Sequence, residues 1–258
     1  MIKVFFLRLN AEIDWPEKRP LYVTHAKYAH AAVMQAITAE DKSLGKQLHD
    51  MQRRKPISLA FVDNCLQISL VGADALRCMK ALMAYWQSNP FIELGSQEYA
   101  IKNFYLGDGE RGQIQSWHDL IGYPSHKHLR FSFLTPTALT RQDSHRKRYT
   151  IPFPEPTHFF ISLAEQWRSL EGPPLSDGLD DYLHDGGCVM KSHKLHTVAF
   201  PIEERTQIGF VGNVTYLCRQ SDEVNVQSLN WLTRLAPYVG IGYQTARGMG
   251  AVSTNTSR

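Results

Sequence analysis

Cysteine is scarce in this sequence, and no two cysteines form a recognisable motif. Four cysteines occur among 258 residues, and no pair has the Cys-x-x-Cys spacing of a zinc ribbon or a redox site. Neither a zinc-binding module nor a disulfide scaffold is therefore predicted. We expect reduced thiols in the core of a cytoplasmic protein, at Cys65, Cys78, Cys188 and Cys218.

Long apolar runs and a targeting segment are also missing. Residues 1–9 are apolar, but they are too few to span a membrane and lack the small-residue cleavage site of a signal peptide. We interpret them as a first β-strand. With 43% hydrophobic and 21% charged residues, the composition is that of an ordinary globular protein, and 258 residues suffice for one large domain or two small ones.

The sequence has little net charge, but its charges are unevenly distributed. The formal net charge of +3 is weaker than the strongly basic balance of a dedicated nucleic-acid binder. Clusters of basic residues can contact RNA phosphates, and they can equally form a solvated basic face. The aspartates between residues 177 and 185 lie in a different part of the chain from these clusters. Two such clusters stand out, one with Arg141, His145, Arg146, Lys147 and Arg148, the other with Lys191, His193, Lys194 and His196.

The first half of the chain alternates between strand and helix patterns. Apolar residues at helical spacing predict a helix over residues 24–37, with Thr24 as its N-cap. Alternating segments on either side of Asp63 and Asn64 predict a β-hairpin, and a second helix ends before Pro90. Residues 92–94 and 99–106 add one or two closing strands. The resulting order, βαββαβ, is that of a ferredoxin-like unit.

The second half repeats this order of elements without any visible repeat of residues. A strand at 129–133 precedes a helix introduced by Pro154-Glu155-Pro156, and strands follow at 188–190 and 206–219. A last helix ends at Pro237, and Met249 to Ser253 form the closing strand. We therefore predict an α+β fold of two tandem ferredoxin-like (βαββαβ), RRM-like domains, at residues 1–122 and 126–258.

A glycine-rich segment lies between the last predicted helix and the last predicted strand. Two Gly-x-Gly pairs, Gly240/Gly242 and Gly248/Gly250, surround an insert that carries Arg247. Glycine permits positive φ and a close approach of backbone amides to an anion such as phosphate. The spacing matches neither the dinucleotide fingerprint nor a P-loop. A phosphate-binding loop and a turn that only permits tight packing are both compatible with this pattern.

Histidine is abundant, and two histidines lie at the start of the first predicted helix. His25 and His30 are five residues apart, which rotates them away from the i, i+4 arrangement of zinc helices, so no metal site is predicted. Cleavage of RNA without metal needs a base for the 2′-OH and an acid for the 5′-oxygen, and an imidazole can serve as either near neutral pH. A structural histidine on the flank of a helix is the alternative.

The glycine-rich segment closely resembles a loop of the CRISPR-associated repeat-processing endoribonucleases, members of the RAMP superfamily. The resemblance extends to residues 133–137, which are similar to the first strand of that family's second domain, and to residues 209–214, which are similar to the strand before its last helix. It covers most of residues 129–253, and it covers the N-terminal half mainly by element order. It implies the tandem ferredoxin-like fold of RAMP proteins.

The resemblance also implies an activity. Proteins of this family bind a CRISPR repeat, often as a stem-loop, and cut the precursor RNA (pre-crRNA) at the 3′ base of the stem without metal or cofactor, leaving a cyclic phosphate and a 5′-hydroxyl. The catalytic histidine carries over to His30 in the N-terminal domain, with His25 as the second candidate. Lys27, Tyr28 and Tyr22 are possible assistants. Implied RNA contacts are Gly240, Gly242, Arg247, Gly248, Gly250, Arg141, Arg146, Lys147, Arg148, Lys191 and Lys194.

Two other functions stay open from the sequence. A non-catalytic RAMP protein that holds guide RNA as a subunit of a CRISPR effector complex would use the same loop and basic clusters, and only the placement of the histidines argues against it. A general RNA-binding protein without a CRISPR role is the third possibility. We expect a monomer or homodimer with no membrane partner.

Overall fold

The computed structural model describes residues 3–16, 25–51, 56–107, 114–202, 205–219 and 222–255. The chain separates into two compact units. The first comprises Met1–Ser116 together with Pro201–Arg205 and Gln244–Gly248. The second comprises Trp117–Phe200, Thr206–Tyr243 and Met249–Arg258. None of the helices in the described part of the chain is long and apolar enough to cross a membrane.

The first unit is an antiparallel sheet with helices packed on it. Its sheet order is β2-β3-β1-β5-β4, and β6 pairs with β1. The helix α3 packs against β1 and β3, and α1 packs against α3. The elements are β1 (Phe5–Ile13), α1 (Ala26–Glu40), α2 (Lys42–Asp50), β2 (Ile57–Val62), β3 (Cys65–Gly72), α3 (Ala75–Ser88), β4 (Phe91–Leu94), β5 (Gln97–Leu106) and β6 (Ile114–Ser116).

The helical stripe expected from the sequence forms the buried face of α1. Ala29, Val33, Ala36 and Ile37 are all buried, because residues three and four apart lie on one side of a helix. The β2–β3 hairpin turns where expected, and Asp63 adopts a φ of 55° there. Asp and Asn tolerate this left-handed conformation better than most residues do.

The second unit has the same arrangement, with one additional hairpin. A four-stranded sheet has the order β10-β11-β7-β12, and β8 pairs only with β9. Its elements are α4 (Trp117–Ile121), β7 (His128–Thr137), β8 (Leu139–Gln142), β9 (Arg148–Ile151), α5 (Pro156–Ser169), α6 (Leu179–His184), β10 (Cys188–Ile202), β11 (Arg205–Cys218), α7 (Glu223–Val239), a 3-10 turn (Thr245–Arg247) that clusters with the first unit, and β12 (Val252–Asn255).

Aromatic side chains form the core of the second unit. Phe159 of α5 lies edge-on to Phe131 of β7 at 4.9 Å and close to Tyr216 of β11 at 5.3 Å. The Tyr216 hydroxyl donates to the carbonyl of Pro154 at 2.8 Å, so its burial leaves no unmatched donor. Glu155 caps α5 by accepting from the amides of Thr157 and His158.

The prediction of an α+β fold with two tandem ferredoxin-like units is confirmed. Three details differ from expectation. The strand β1 lies further along the chain than residues 1–9, β12 begins at Val252, and α2 and the β8–β9 hairpin were not predicted. The expected N-cap Thr24 lies outside the described residues. The domain boundary between residues 122 and 126 stays a prediction.

The prediction that Pro237 ends the last helix is wrong. The helix α7 continues through Pro237 to Val239. Proline's fixed φ fits a helix, and its missing N–H removes only one hydrogen bond. Gly240 ends the helix instead, since its φ of 66° turns the chain away while its amide donates to Ala236 O at 2.9 Å.

Candidate histidine site and nucleic-acid interface

His30 lies on α1 at the rim of a surface groove between α1 and α2. The side chain is half-buried, and its Nδ1 atom is fully covered. His30, Met34 and Thr38 follow one another every four residues and so share one side of the helix. The groove has a volume of about 670 Å³ and is lined by His30, Met34, Gln35, Thr38, Ala39, Lys42, Gly45 and His49.

The groove is held in shape by the close approach of its two helices. A side chain at Gly45 would overlap Thr38 Oγ1, which donates to Met34 O at 2.7 Å. Asp41 caps α2 by accepting from the Leu44 amide at 3.0 Å, and Arg77 Nε donates to Asp41 at 2.8 Å. The Leu44 hydrogen bond, followed by the Ser43 hydroxyl and Arg77, lowers the pKa of the Asp41 carboxyl. The start of α2 is thereby fixed next to the end of α1.

His25 occupies a different environment from His30. Its ring lies 4.9 Å from the ring of Trp15, 5.7 Å from Tyr99 and 6.3 Å from Tyr28, measured between centroids. His25 is the N-cap residue of α1 and is not among the residues that line the groove. The two histidines predicted as catalytic candidates are therefore not brought together, because five residues of helix turn them apart.

Two of the three candidate assistants, Lys27 and Tyr28, lie on the first turn of α1. Lys27 is exposed and precedes His30 by three residues, a spacing that places two side chains on one side of a helix. Its Nζ lies 4.8 Å from the centre of the Tyr28 ring. Tyr28 is held from the other side by Gly95, where an added side chain would come within 3.0 Å of the ring. Tyr22 lies outside the described residues.

The four predicted glycines of the glycine-rich segment all adopt positive φ, which is the reason that glycine is needed there. Gly240, Gly242, Gly248 and Gly250 have φ values of 66°, 79°, 96° and 76°. An added side chain at Gly242 would also overlap the carbonyl oxygen of Ala138.

Five backbone amides of this segment donate to carbonyls of the protein and so are not presented to a phosphate. The Tyr243 amide donates to Ala138 O at 2.9 Å, and the Gly250 amide to Pro136 O at 3.0 Å. The amides of Gly240, Ile241 and Arg247 donate to backbone carbonyls as well. These hydrogen bonds close the segment on itself and on the chain around the end of β7, at Pro136 and Ala138.

The 3-10 turn within this segment, Thr245–Arg247, packs against α1 and β2 in the first unit. The prediction assigned the whole glycine-rich segment to the second domain. Its central five residues, Gln244–Gly248, cluster with the first unit instead. Arg247, which is half-buried, therefore belongs to the same unit as His30 and packs near the same helix. Sequence spacing could not reveal this, since more than 200 residues separate the two.

The first basic cluster forms the β8–β9 hairpin and its turn. Asp143 Oδ1 accepts from the amides of His145 and Lys147 at 2.9 and 2.8 Å, which fixes the turn, and Arg146 has a φ of 61°. Arg146, Lys147 and Arg148 are exposed. Arg141 is partly engaged, since its Nη2 donates to Glu155 at 3.3 Å. The hairpin thus presents three cations to solvent.

The second basic cluster lies on β10, but its two lysines face opposite sides of the sheet. Lys191 and Lys194 are three residues apart, and side chains alternate along a strand. Lys191 Nζ donates to His128 Nε2 on β7 at 2.9 Å, and Phe153 lies edge-on to His193 at 6.2 Å. The structure therefore brings His128 to Lys191, and neither His128 nor its neighbour Arg130 was predicted as a site residue. The exposed–buried alternation of His128 to Phe133 was the signal that could have identified them.

Within the described residues, His, Cys, Asp and Glu side chains form no group of three or more that could hold a metal ion.

Comparison with known proteins supports the resemblance predicted from the glycine-rich segment. The family model of the CRISPR-associated endoribonuclease Cas6 matches residues 131–252. No curated protein matches the chain. The predicted resemblance to the CRISPR-associated repeat-processing endoribonucleases is confirmed.

Solved structures match over nearly the whole chain. A product complex of Thermus thermophilus Cas6 has a TM-score of 0.79 at 21% identity, covering 98% of this chain and 100% of that one. A Cas6 substrate-mimic complex has a TM-score of 0.69 at 18% identity, covering 97% and 99%. A Cas6-related protein of Pyrococcus furiosus has a TM-score of 0.63 at 9% identity, covering 98% and 100%. At these identities the likeness establishes the tandem fold.

Proposed function

We propose that this chain, which resembles the Cas6 endoribonucleases, binds CRISPR repeat RNA and cuts pre-crRNA at the 3′ base of the repeat stem. The observation that carries the proposal is the packing of the 3-10 turn bearing Arg247 against α1, the helix of His30, within one unit. A cation and an imidazole on neighbouring elements suit phosphodiester cleavage, because the cation can hold the phosphate while the imidazole moves a proton.

The proposed chemistry uses no metal. The RNA 2′-oxygen attacks the adjacent phosphorus as its proton leaves, and the bond from phosphorus to the 5′-oxygen breaks as that oxygen gains a proton. The products are a 2′,3′-cyclic phosphate and a 5′-hydroxyl. His30 carries one of these two protons, and Lys27, on the same side of α1, offsets the negative charge that develops on the phosphate. Alignment of the 2′-OH with the scissile bond contributes further to the rate.

His30 is a better candidate than His25 for direct contact with RNA. His30 borders an open groove, whereas His25 packs against the rings of Trp15 and Tyr99. A ring enclosed by aromatic neighbours is suited to holding the start of α1, and we propose that His25 acts by positioning the helix. The exposed cations Arg146, Lys147 and Arg148, together with Lys191 and Lys194, bind the phosphate backbone at a distance from the cut.

A cleavage assay in EDTA tests this proposal, with a repeat RNA from the same locus as substrate. We expect wild-type protein to cut this RNA in EDTA, and a 2′-deoxy substitution at the cut site to block cleavage. His30→Ala should retain RNA binding, while its single-turnover cleavage rate falls at least about 100-fold. His49→Ala is the matched control, because His49 lines the same groove but its side chain is 84% exposed. The cleavage rate of this variant should stay at the wild-type value.

Three results would contradict parts of the proposal. Cutting that is abolished by EDTA and restored by Mg²⁺ would refute the metal-independent mechanism. Tight binding without cleavage, in both wild type and His30→Ala, would identify a non-catalytic RAMP subunit of an effector complex. Equal affinity for unrelated RNA hairpins would identify a general RNA-binding protein.

A further inference from the structure

The sheet of the second unit has one face packed on helices and one face that carries exposed side chains. Phe131 and Phe133 of β7 point to the packed face, where both contact Phe159. Alternation along the strand places His128, Arg130 and Ser132 on the opposite face. His128 and Arg130 are exposed, and Ser132 is half-buried. We call this opposite surface the outer sheet face.

The outer sheet face continues across β11 and β10. Thr215 of β11 pairs directly with Arg130. Cys188 of β10 and Cys218 of β11 point to the packed side, where both are buried. Lys191 and His193 therefore face outward, and the 2.9 Å contact between Lys191 and His128 confirms that Lys191 shares a face with β7.

The cations on this face are spread over neighbouring strands. Arg130 and Lys191 lie on strands separated by β11, which sets their backbones about 10 Å apart. Thr215 contributes a hydroxyl between them, and His193 extends the row on β10. Both Arg130 and Lys191 are exposed at their ends, so each can reach a separate group of an extended ligand.

The composition of the four strands indicates an anionic ligand. No aspartate or glutamate occurs in β7, β10, β11 or β12. Phe, Tyr and Trp are also missing from the outward positions of β7. They are missing as well from the outward positions of β10 between Val189 and Thr197 and of β11 between Val211 and Leu217. Sheets that bind single-stranded RNA by stacking use aromatic residues at such positions. Arg130, Lys191 and the Thr215 hydroxyl are suited to phosphates instead, and phosphate contacts position an RNA without reading its sequence.

We propose that the outer sheet face binds the phosphate backbone of RNA through Arg130 and Lys191, and that it does so independently of the chemistry at His30. This inference rests on the proposed function, because it takes RNA as the ligand. The face supplies affinity that does not depend on sequence, and it leaves the choice of the cut site to other contacts.

The test measures RNA affinity as a function of salt, with a repeat RNA that carries a 2′-deoxy group at the cut site and cannot be cleaved. Each phosphate contact that is lost reduces the slope of log K against log salt by about 0.9. We expect Arg130→Gln and Lys191→Gln each to reduce the slope by roughly this amount, and the double variant by about twice as much. Arg130→Lys should keep the slope, since it keeps the charge.

Lys80→Gln is the matched control, because Lys80 is an exposed cation on α3 of the first unit; its slope should equal that of wild type. The single-turnover cleavage rate is compared at saturating RNA, where a loss of affinity alone does not lower it, and melting temperatures check the folding of all five variants. An unchanged slope in the double variant would overturn the inference. A loss of rate at saturating RNA would overturn the claim of independence.

Failure of the proposed function gives a different pattern. If wild-type protein binds RNA with a slope that depends on Arg130 but does not cut it, the inference stands and the endoribonuclease proposal fails. If wild-type protein binds no RNA, both fail.

Discussion

Replacing Gly242 by alanine tests whether the glycine-rich segment acts through its backbone conformation. Gly242 has a φ of 79°, and an added Cβ would overlap Ala138 O, which accepts the Tyr243 amide at 2.9 Å. The substitution therefore forces a left-handed conformation on an L-residue and pushes apart two backbone segments that are hydrogen-bonded to each other.

The expected loss of folding stability is the sum of three contributions. A left-handed conformation costs a residue with a side chain about 1–2 kcal/mol. Loss of the Tyr243–Ala138 hydrogen bond adds about 1 kcal/mol, and the displacement that relieves the overlap adds a further 1 kcal/mol or so. We expect Gly242→Ala to lower the free energy of unfolding by roughly 3–4 kcal/mol, which corresponds to a fall in melting temperature of roughly 6–16 °C for a chain of this size.

Gly186 provides a matched control, because its φ of 72° is similar while an added Cβ would meet no atom within 4 Å. Gly186→Ala should lose only the conformational part, about 1–2 kcal/mol. Scanning calorimetry or thermal circular dichroism measures both variants. If Gly242→Ala is no less stable than Gly186→Ala, the close approach to Ala138 contributes nothing and the reasoning is refuted.

Two further predictions concern the second unit and the 3-10 turn. Glu155→Ala removes the cap of α5 and should cost about 1 kcal/mol, measured by denaturant unfolding at neutral pH. Burial alone would raise the pKa of Glu155, but hydrogen bonds from His158 and Thr157, together with Arg141, lower it below its ordinary 4.5. The stability advantage of wild type over Glu155→Ala is therefore present above pH 4.5, and it is lost as the pH falls through the lowered pKa of the folded state. An advantage that grows in acid would contradict this assignment. Gly248→Val places a β-branched residue at a φ of 96° and should weaken RNA binding or folding by about 1–3 kcal/mol before it affects the cutting step. Normal RNA affinity together with absent cleavage in Gly248→Val would contradict that order of effects.

The secondary structure of this chain could be predicted wherever local pattern and burial agree. The stripe of Ala29, Val33 and Ile37 and the hairpin at Asp63 were both identified correctly, because helix and strand periodicity follow directly from which side chains must be buried. The prediction failed at Pro237, because proline's φ is compatible with a helix and the positive φ of Gly240, three residues later, ends it instead.

The candidate site could be predicted only in part. The glycine pattern and the basic clusters are contiguous in the sequence, so they could be named from it, and their roles in RNA binding stay predictions. Lys191 and Lys194 are neighbours in the sequence but lie on opposite faces of a strand, whereas Lys191 and His128 are 63 residues apart and in contact. Contacts of the second kind depend on strand register, which local sequence does not specify.

The sequence by itself therefore determined the element order, the buried faces and the family resemblance, because each of these is written in local spacing and in contiguous motifs. Only the tertiary structure decided that the turn with Arg247 packs against the helix of His30 and that His25 and His30 occupy separate environments. It also decided that five amides of the glycine-rich segment are bonded within the protein. These features arise from chain segments that meet after folding, where the packing of distant side chains, rather than local preference, selects the neighbours.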